Sequence, residues 1–191
     1  MQLVFATTNK NKINEVKMML PETIELKSLG DIGCLEELPE THFTIEENSR
    51  EKAEYVFEKY GCNCFAEDSG LEVFALNGEP GVFSAHYSGT RNAGENINLV
   101  LLNMRGKTDR RAQFKTVFTL VIENSYNQFT GIVTGKITEM PSGISGFGYD
   151  PIFIPDGAAI TFADMDPTEK NSRSHRTIAF KLLTEFLHKN F

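Results

Sequence analysis

Residues 3–12 read Leu-Val-Phe-Ala-Thr-Thr-Asn-Lys-Asn-Lys, a short apolar run that passes directly into polar and basic residues. A run of this kind is typical of a buried strand. Apolar residues then recur at helical spacing as far as Pro21, which predicts a helix that begins near Asn11 or Lys12. Strand, polar turn and helix in this order indicate an α/β fold.

The chain beyond this stretch continues the alternation of strands and helices. Residues 23–29 are predicted as a second strand and residues 64–69 as a third. Between them, Thr44 and Glu47 have the spacing of a capping box, for a helix that ends at Gly61.

The second half of the chain adds helices around residues 97–104 and 178–187. It also adds a hairpin of residues 114–123 and 129–138, turning through residues 124–128. Early alternation followed by a late hairpin predicts a mixed β-sheet flanked by helices.

Composition excludes several classes of protein. The 191 residues carry 19 Lys and Arg against 26 Asp and Glu, a net charge of −7, so we expect no nucleic-acid partner, because such proteins need a basic face. No apolar run approaches the roughly 20 residues of a membrane span, and no secretory leader is recognisable. We therefore expect one cytoplasmic domain over residues 1–191, with no membrane partner.

The three cysteines, Cys34, Cys62 and Cys64, fit neither a disulfide framework nor a four-ligand zinc site. Any metal ion is therefore expected to be a hard cation held by carboxylates.

The turn after the first strand is a candidate phosphate site, because a helix N-terminus offers N–H groups and a partial positive charge. Its candidate residues are Thr7, Thr8, Asn9, Lys10, Asn11 and Lys12. The alternative is an ordinary polar turn with a helix cap.

Acidic residues form the second candidate group. A strand that ends in Glu67-Asp68 would place carboxylates at the edge of the sheet, where α/β proteins keep their sites. Glu46 and Glu47 are interpreted as helix-capping residues only, whereas for Asp68 a solvated turn remains an equal alternative.

Two further stretches are candidates for binding a flat ligand. Glycines flank Phe147 in Gly146-Phe147-Gly148-Tyr149-Asp150, so a ring could approach a base closely, or the aromatic residues could simply belong to the core. Lys170, His175 and Arg176 lie near a predicted helix start, where the helix dipole disfavours cations unless an anion or a carbonyl oxygen is bound.

These stretches occur together, in order, in one known pattern, and the chain resembles the inosine triphosphate pyrophosphatase family, the XTP/dITP diphosphatases. The resemblance extends from Phe5 to about Ala179. The motifs that carry it are Thr8-Asn9-x-x-Lys12, Glu46-Glu47-Asn48-x-x-x-Lys52-Ala53, Glu67-Asp68-Ser69-Gly70-Leu71, Gly78-x-Pro80-Gly81, Gly146-Phe147-Gly148-Tyr149-Asp150-Pro151 and Lys170-Asn171-x-x-Ser174-His175-Arg176.

The resemblance implies an elongated mixed sheet in two lobes with the active-site cleft between them, usually in a homodimer. It implies Mg²⁺-dependent hydrolysis of ITP, dITP and XTP, purine nucleoside triphosphates, to the monophosphate and pyrophosphate.

The resemblance also implies the roles of individual residues. Residues 7–12 and Lys52 would hold the triphosphate, Glu40 and Asp68 the metal, and Asp68 would also be the general base. Residues that would contact the remainder of the substrate are Ser69, Phe147, Gly148, Tyr149, Asp150, Lys170, Ser174, His175 and Arg176.

Physical chemistry agrees with a preference for such purines. Donors from His175 and Arg176 would match a 6-carbonyl oxygen and oppose the 6-amino group of adenine. Lys12 and Lys52 beside Asp68 would keep it ionised, and therefore a weak base.

The sequence departs from the family pattern at three places. Glu67 stands where many relatives have Asp, His86 stands where Arg is usual, and the stretch of residues 88–96 is short. Two other hypotheses stay open: a pyrophosphatase for modified pyrimidine nucleotides, and a nucleotide-binding protein without activity.

Overall fold

A computed structural model describes all residues from Met1 to Phe191. The strands are β1 (Gln2–Ala6), β2 (Glu25–Lys27), β3 (Cys64–Val73), β4 (Arg111–Ile122), β5 (Ser125–Ile137) and β6 (Phe153–Pro155). The α-helices are α1 (Lys10–Lys17), α2 (Ile45–Tyr60), α3 (Ala93–Asn103), α4 (Pro167–Arg173) and α5 (His175–Asn190).

The six strands form one mixed sheet in the order β2-β1-β3-β4-β5-β6. Strand β1 pairs in parallel with β2 and β3, whereas β5 and β6 are antiparallel. The predicted mixed sheet flanked by helices is confirmed. No helix is long and apolar enough to cross a bilayer.

The chain forms two compact units. Unit 1 consists of residues 1–68, 116–131 and 176–191, and unit 2 of residues 69–115 and 132–175. That the whole chain acts as one catalytic domain stays a prediction.

The core of unit 1 follows from the alternation of side chains along β1. Leu3 and Phe5 pack with Val16 of α1 and with Phe180 of α5. Val4 and its strand neighbour Ala6 belong instead to the cluster around α2. Because successive strand residues point to opposite faces, this uniformly apolar strand is buried on both sides.

The ends of α2 are where the sequence predicts them. The Thr44 side chain accepts from Glu47 N at 3.2 Å and donates to the Glu47 carboxylate at 2.7 Å. Gly61 ends the helix with φ +65°, in the left-handed region that glycine adopts at little cost.

The bounds of the second strand and of the hairpin differ from prediction, and one helix was missed. The second strand is only Glu25–Lys27. The hairpin turns at Glu123 and Asn124, both with positive φ, so β5 begins at Ser125. A two-residue turn of this kind matches the twist of the strands better than the predicted five-residue loop. Helix α4 was not predicted, because its seven residues carry no apolar stripe.

Strand β3 also differs from prediction, since it continues past Glu67 and Asp68 to Val73. The pairing of β1 with β3 nevertheless stops at Ala6 and Ala66. Glu67 and Asp68 are therefore the first β3 residues beyond the carboxyl end of β1, which is also where the turn to α1 begins.

Candidate active site

The turn between β1 and α1 is organised by Asn9. Its side-chain oxygen accepts from Asn11 N at 3.0 Å and from Lys12 N at 3.3 Å, and so caps α1. The Thr7 hydroxyl accepts from Asn9 N at 3.2 Å. The capping alternative is thus correct for Asn9, and phosphate binding by Thr8, Lys10 and the other residues of the turn stays a prediction.

Lys12 points from this turn towards β3. Its Nζ lies 3.5 Å from Oε1 of Glu67, and its side chain is 14% exposed. Burial lowers the pKa of Lys12, although the Glu67 carboxylate opposes the shift.

Glu67 is held in turn by Arg176 of α5. The guanidinium Nε donates to both carboxylate oxygens at 3.0 Å, and Nη2 donates to Oε1 at 2.9 Å. Nη1 donates to Glu15 of α1. From the sequence, Arg176 was expected to contact only the substrate, as a donor to the purine base. The structure shows a second use, in a buried ion-pair group, and its base contact stays a prediction.

Glu15 is a residue that sequence reasoning missed. It lies three positions after Lys12 on α1, so both side chains share one helix face. That spacing was the available signal. Arg176, which donates to Glu15, is 161 positions away from it in the sequence.

A second charged group is centred on Lys52 of α2, which is 5% exposed. Its Nζ donates to Glu40 at 2.5 Å and to Oδ1 of Asp68 at 3.0 Å. Burial alone would lower the pKa of Lys52, but the carboxylates of Asp68 and Glu40 together raise it above its usual value. The structure thus brings Lys52, which the resemblance assigns to the triphosphate, into contact with Glu40 and Asp68, which it assigns to the metal.

Asp68 is more deeply buried than the sequence predicts, at 7% exposure. Burial raises the pKa of Asp68, although Lys52 and Lys12 oppose the shift. The lysines thus act on Asp68 in the predicted direction, but the loss of hydration, which the sequence did not predict, outweighs their attraction, and the net shift of the pKa is upward.

The same residues fit a hard divalent cation. Oδ2 of Asp68 is buried and has no hydrogen-bond partner, and Glu40 remains 44% exposed. No group of three or more His, Cys, Asp and Glu residues could enclose a metal. Two carboxylates are sufficient for Mg²⁺ when phosphate oxygens and water complete its shell.

Unit 2 contains the glycine-rich loop, which is fixed by Asp150. Oδ2 of Asp150 accepts from Phe147 N and from Lys170 Nζ, each at 2.7 Å. Gly146 has φ +76°, and a Cβ there would collide with the Asp150 carboxylate. The loop therefore needs glycine at 146 and the carboxylate at 150.

Phe147 and Tyr149 have different environments. Phe147 is half-buried, and the Lys170 ammonium lies 4.7 Å from its ring centroid. Tyr149 is 4% exposed within the core of unit 2 and donates to the Ser84 carbonyl at 2.9 Å. The core alternative thus describes Tyr149, while Phe147 remains the ring available for stacking.

The basic stretch lies near a helix start as predicted, since His175 begins α5, but its first residues belong to a further helix, α4. Lys170 lies in the last turn of α4, where the helix dipole favours a cation. His175 stacks on Phe114, with ring centroids 4.7 Å apart and planes at 8°. Ser174 is buried between the two helices, and Ser69 lies half-buried in β3. Their substrate contacts stay predictions.

The fold and the site define an α/β protein. Unit 1 carries a set of paired lysines and carboxylates, and unit 2 carries the loop with the Phe147 ring. The chain belongs to the Ham1 family, whose sequence model matches residues 3–186.

Close relatives and solved structures cover nearly all of the chain. The dITP/XTP pyrophosphatase of Flavobacterium psychrophilum is 54% identical over 187 residues, covering 97% of this chain and 98% of that protein. The dITP/XTP pyrophosphatase of Bacillus subtilis is 40% identical, with 97% and 96% covered. The structure of the Staphylococcus aureus Ham1 protein matches with a TM-score of 0.93 at 37% identity, over 100% of both chains.

Proposed function

We propose that this protein hydrolyses non-standard purine nucleoside triphosphates, dITP, ITP and XTP, to the monophosphate and pyrophosphate. Relatives named dITP/XTP pyrophosphatase at 40–54% identity support the reaction class. The observation that carries the proposal is the convergence of Lys12, Lys52 and Asp68 in one largely buried charged region, with the more exposed Glu40 at its edge.

The lysines suit a triphosphate because they are cations whose hydration is already reduced. Lys12 and Lys52 would neutralise charge that develops on the phosphate oxygens as the α–β bond breaks. In a buried environment such cations act more strongly than they would in water.

Asp68 would position the attacking water and accept its proton. Its unpartnered oxygen, Oδ2, is the acceptor for that water or for a cation, while Lys52 fixes Oδ1. A carboxyl whose pKa is raised by burial is a better proton acceptor than a fully hydrated one.

We propose Mg²⁺ as the cofactor, with Glu40 and Asp68 as its protein ligands. Bound there, the cation would supply charge neutralisation to the phosphate oxygens.

The purine would be bound by unit 2. Phe147 offers its half-buried ring to the base. Lys170, held beside that ring, is a donor that favours a 6-carbonyl oxygen over a 6-amino group. His175 and Arg176 stay candidate base contacts. A homodimer and a cytoplasmic location are further proposals that rest on the family resemblance.

The test is pyrophosphate release from ITP, XTP, dITP, GTP, ATP and dTTP, with Mg²⁺ and with EDTA. We expect the first three to be turned over far faster than ATP, and EDTA to abolish turnover. Preference for a pyrimidine nucleotide would support the pyrimidine hypothesis instead. Release of orthophosphate, or no turnover of any nucleotide, would contradict the proposed reaction.

A further inference from the structure

Glu67 occupies a position that the proposed chemistry leaves without a role. Its side chain is wholly buried, and both of its oxygens accept hydrogen bonds from the guanidinium of Arg176. A carboxylate that is bound in this bidentate way by a guanidinium has little rotational freedom. Glu67 is therefore a fixed negative charge, placed next to Asp68 in β3.

A role as metal ligand does not fit this geometry. The two oxygens of Glu67 already face Arg176, and none of its side-chain surface is exposed. A cation would have to displace a buried guanidinium, which leaves that charge without its partner. Asp68, with its unpartnered Oδ2, offers a cation far easier access.

Glu67 also has Lys12 as a neighbour, whose ammonium is 3.5 Å from Oε1. Burial disfavours the charged form of Lys12, and the Glu67 carboxylate is the strongest influence that keeps it charged. Lysine has a flexible stem and no preferred partner geometry of its own. A fixed carboxylate beside it supplies both the direction and the charge balance.

Arg176, which anchors Glu67, also contacts helix α1. Arg176 also donates to Glu15, so one guanidinium joins β3 to the helix that carries Lys12. Glu15 and Glu67 are thus both partners of Arg176, Glu67 through Nε and Nη2 and Glu15 through Nη1. It is Glu67 that forms the salt bridge with Lys12.

We propose that Glu67 is a positioning residue, which Arg176 anchors and which holds the Lys12 ammonium in place for a pyrophosphate-containing ligand. The inference rests on the proposed function, since it assigns Lys12 to the phosphates. Glu67 touches neither phosphate nor metal and acts only through Lys12.

The test is a double-mutant cycle on the binding of inorganic pyrophosphate with Mg²⁺, measured by calorimetry. We expect Lys12→Met to weaken binding about tenfold or more, since it removes a direct charged contact. Glu67→Gln should weaken binding roughly fivefold when Lys12 is present. In the Lys12→Met background the same change should have no further effect, because residues that act through one another are not additive.

Glu15→Gln is the matched control. It also removes one carboxylate from Arg176, so urea unfolding should show a loss of stability for both variants, larger for Glu67→Gln, because Glu67 is more deeply buried and accepts more of the guanidinium hydrogen bonds. Pyrophosphate binding should change much less in Glu15→Gln. If Glu67→Gln fails to fold, Glu67→Asp replaces it in the cycle, because Asp keeps the charge but shortens the reach to Lys12 by one methylene.

The outcomes separate the two proposals. Pyrophosphate binding that Glu67→Gln weakens by the same factor in both backgrounds, or not at all, overturns the role of Glu67 and leaves the proposed function standing. A wild-type protein that binds no pyrophosphate overturns the role of Glu67, while the proposed function is decided separately by pyrophosphate release from dITP.

Discussion

The charged groups of unit 1 and the loop of unit 2 are built on opposite principles. In unit 1, buried side chains hold one another: Lys52 bridges Glu40 and Asp68, and Arg176 bridges Glu15 and Glu67. In unit 2, a backbone N–H and a single carboxylate, that of Asp150, set the position of the Phe147 ring.

The difference indicates a division of labour. Mutually paired charges in a buried region are costly to break and suit a reaction in which charge develops. A ring on a glycine-rich loop suits recognition of a flat ligand, because stacking tolerates small shifts. Changes in the charged groups of unit 1 should therefore affect turnover and phosphate binding, and changes in the loop should affect the affinity for the base.

The largest effect is expected for Asp68→Asn. It removes the proposed proton acceptor and one metal ligand while keeping the side-chain volume, so kcat should fall by about 10³-fold or more. The measurement is pyrophosphate release from dITP over a series of Mg²⁺ concentrations, with Glu72→Gln as a control carboxylate in β3. Turnover that excess Mg²⁺ fully restores would assign Asp68 to metal binding alone.

A smaller effect is expected for Phe147→Ala. Loss of a stacking ring costs about 1–3 kcal/mol, so KM for dITP should rise roughly 5- to 150-fold while kcat changes by less than about threefold. Phe74→Ala, which removes another partly exposed ring of unit 2, is the matched control and should leave KM unchanged. A fall in kcat with constant KM for Phe147→Ala would break the proposed division between the two regions.

The sequence predicted the elements of these regions better than their connections. The turn at residues 7–12, the capping box of α2 and the glycine-rich loop were all found from local patterns, because each depends on neighbours in sequence. The pairing of Arg176 with Glu15 and Glu67 joins residues more than a hundred positions apart. Nothing in residue spacing specifies such a contact.

Burial was the second quantity that the sequence could not supply. Asp68 and the lysines look alike in sequence whether they are hydrated or enclosed, and the direction of the Asp68 pKa shift depends on that difference. Tyr149 and Phe147, two positions apart, also have unlike environments only because one faces the core.

The smallest effect is expected in a third region, around Glu36. It tests whether only the two regions compared above control the activity. Glu36 accepts hydrogen bonds from Tyr55, Lys59 and Tyr60 at 2.5–3.0 Å, near the protein surface. These donors, Lys59 first, lower the pKa of Glu36 below its ordinary value of 4.5. The group contains neither a proposed ligand contact nor a proposed metal ligand, so Glu36→Gln should leave kcat and KM for dITP unchanged.

The stability effect of Glu36→Gln should be small and should depend on pH in one direction. A carboxyl with a lowered pKa stabilises the folded state above its unfolded-state value, and this contribution is lost as the pH falls below about 4.5. Thermal unfolding should therefore show a lower Tm for the variant at pH 7 and a shrinking difference towards pH 3, whereas the neighbouring exposed Glu37→Gln should show neither. A difference that grows on acidification would mean that Glu36 is not held by its donors as the structure shows. A change in kcat would mean that charge pairs outside the two regions also control the reaction, and the contrast between the buried charged groups and the pinned loop would no longer explain the activity.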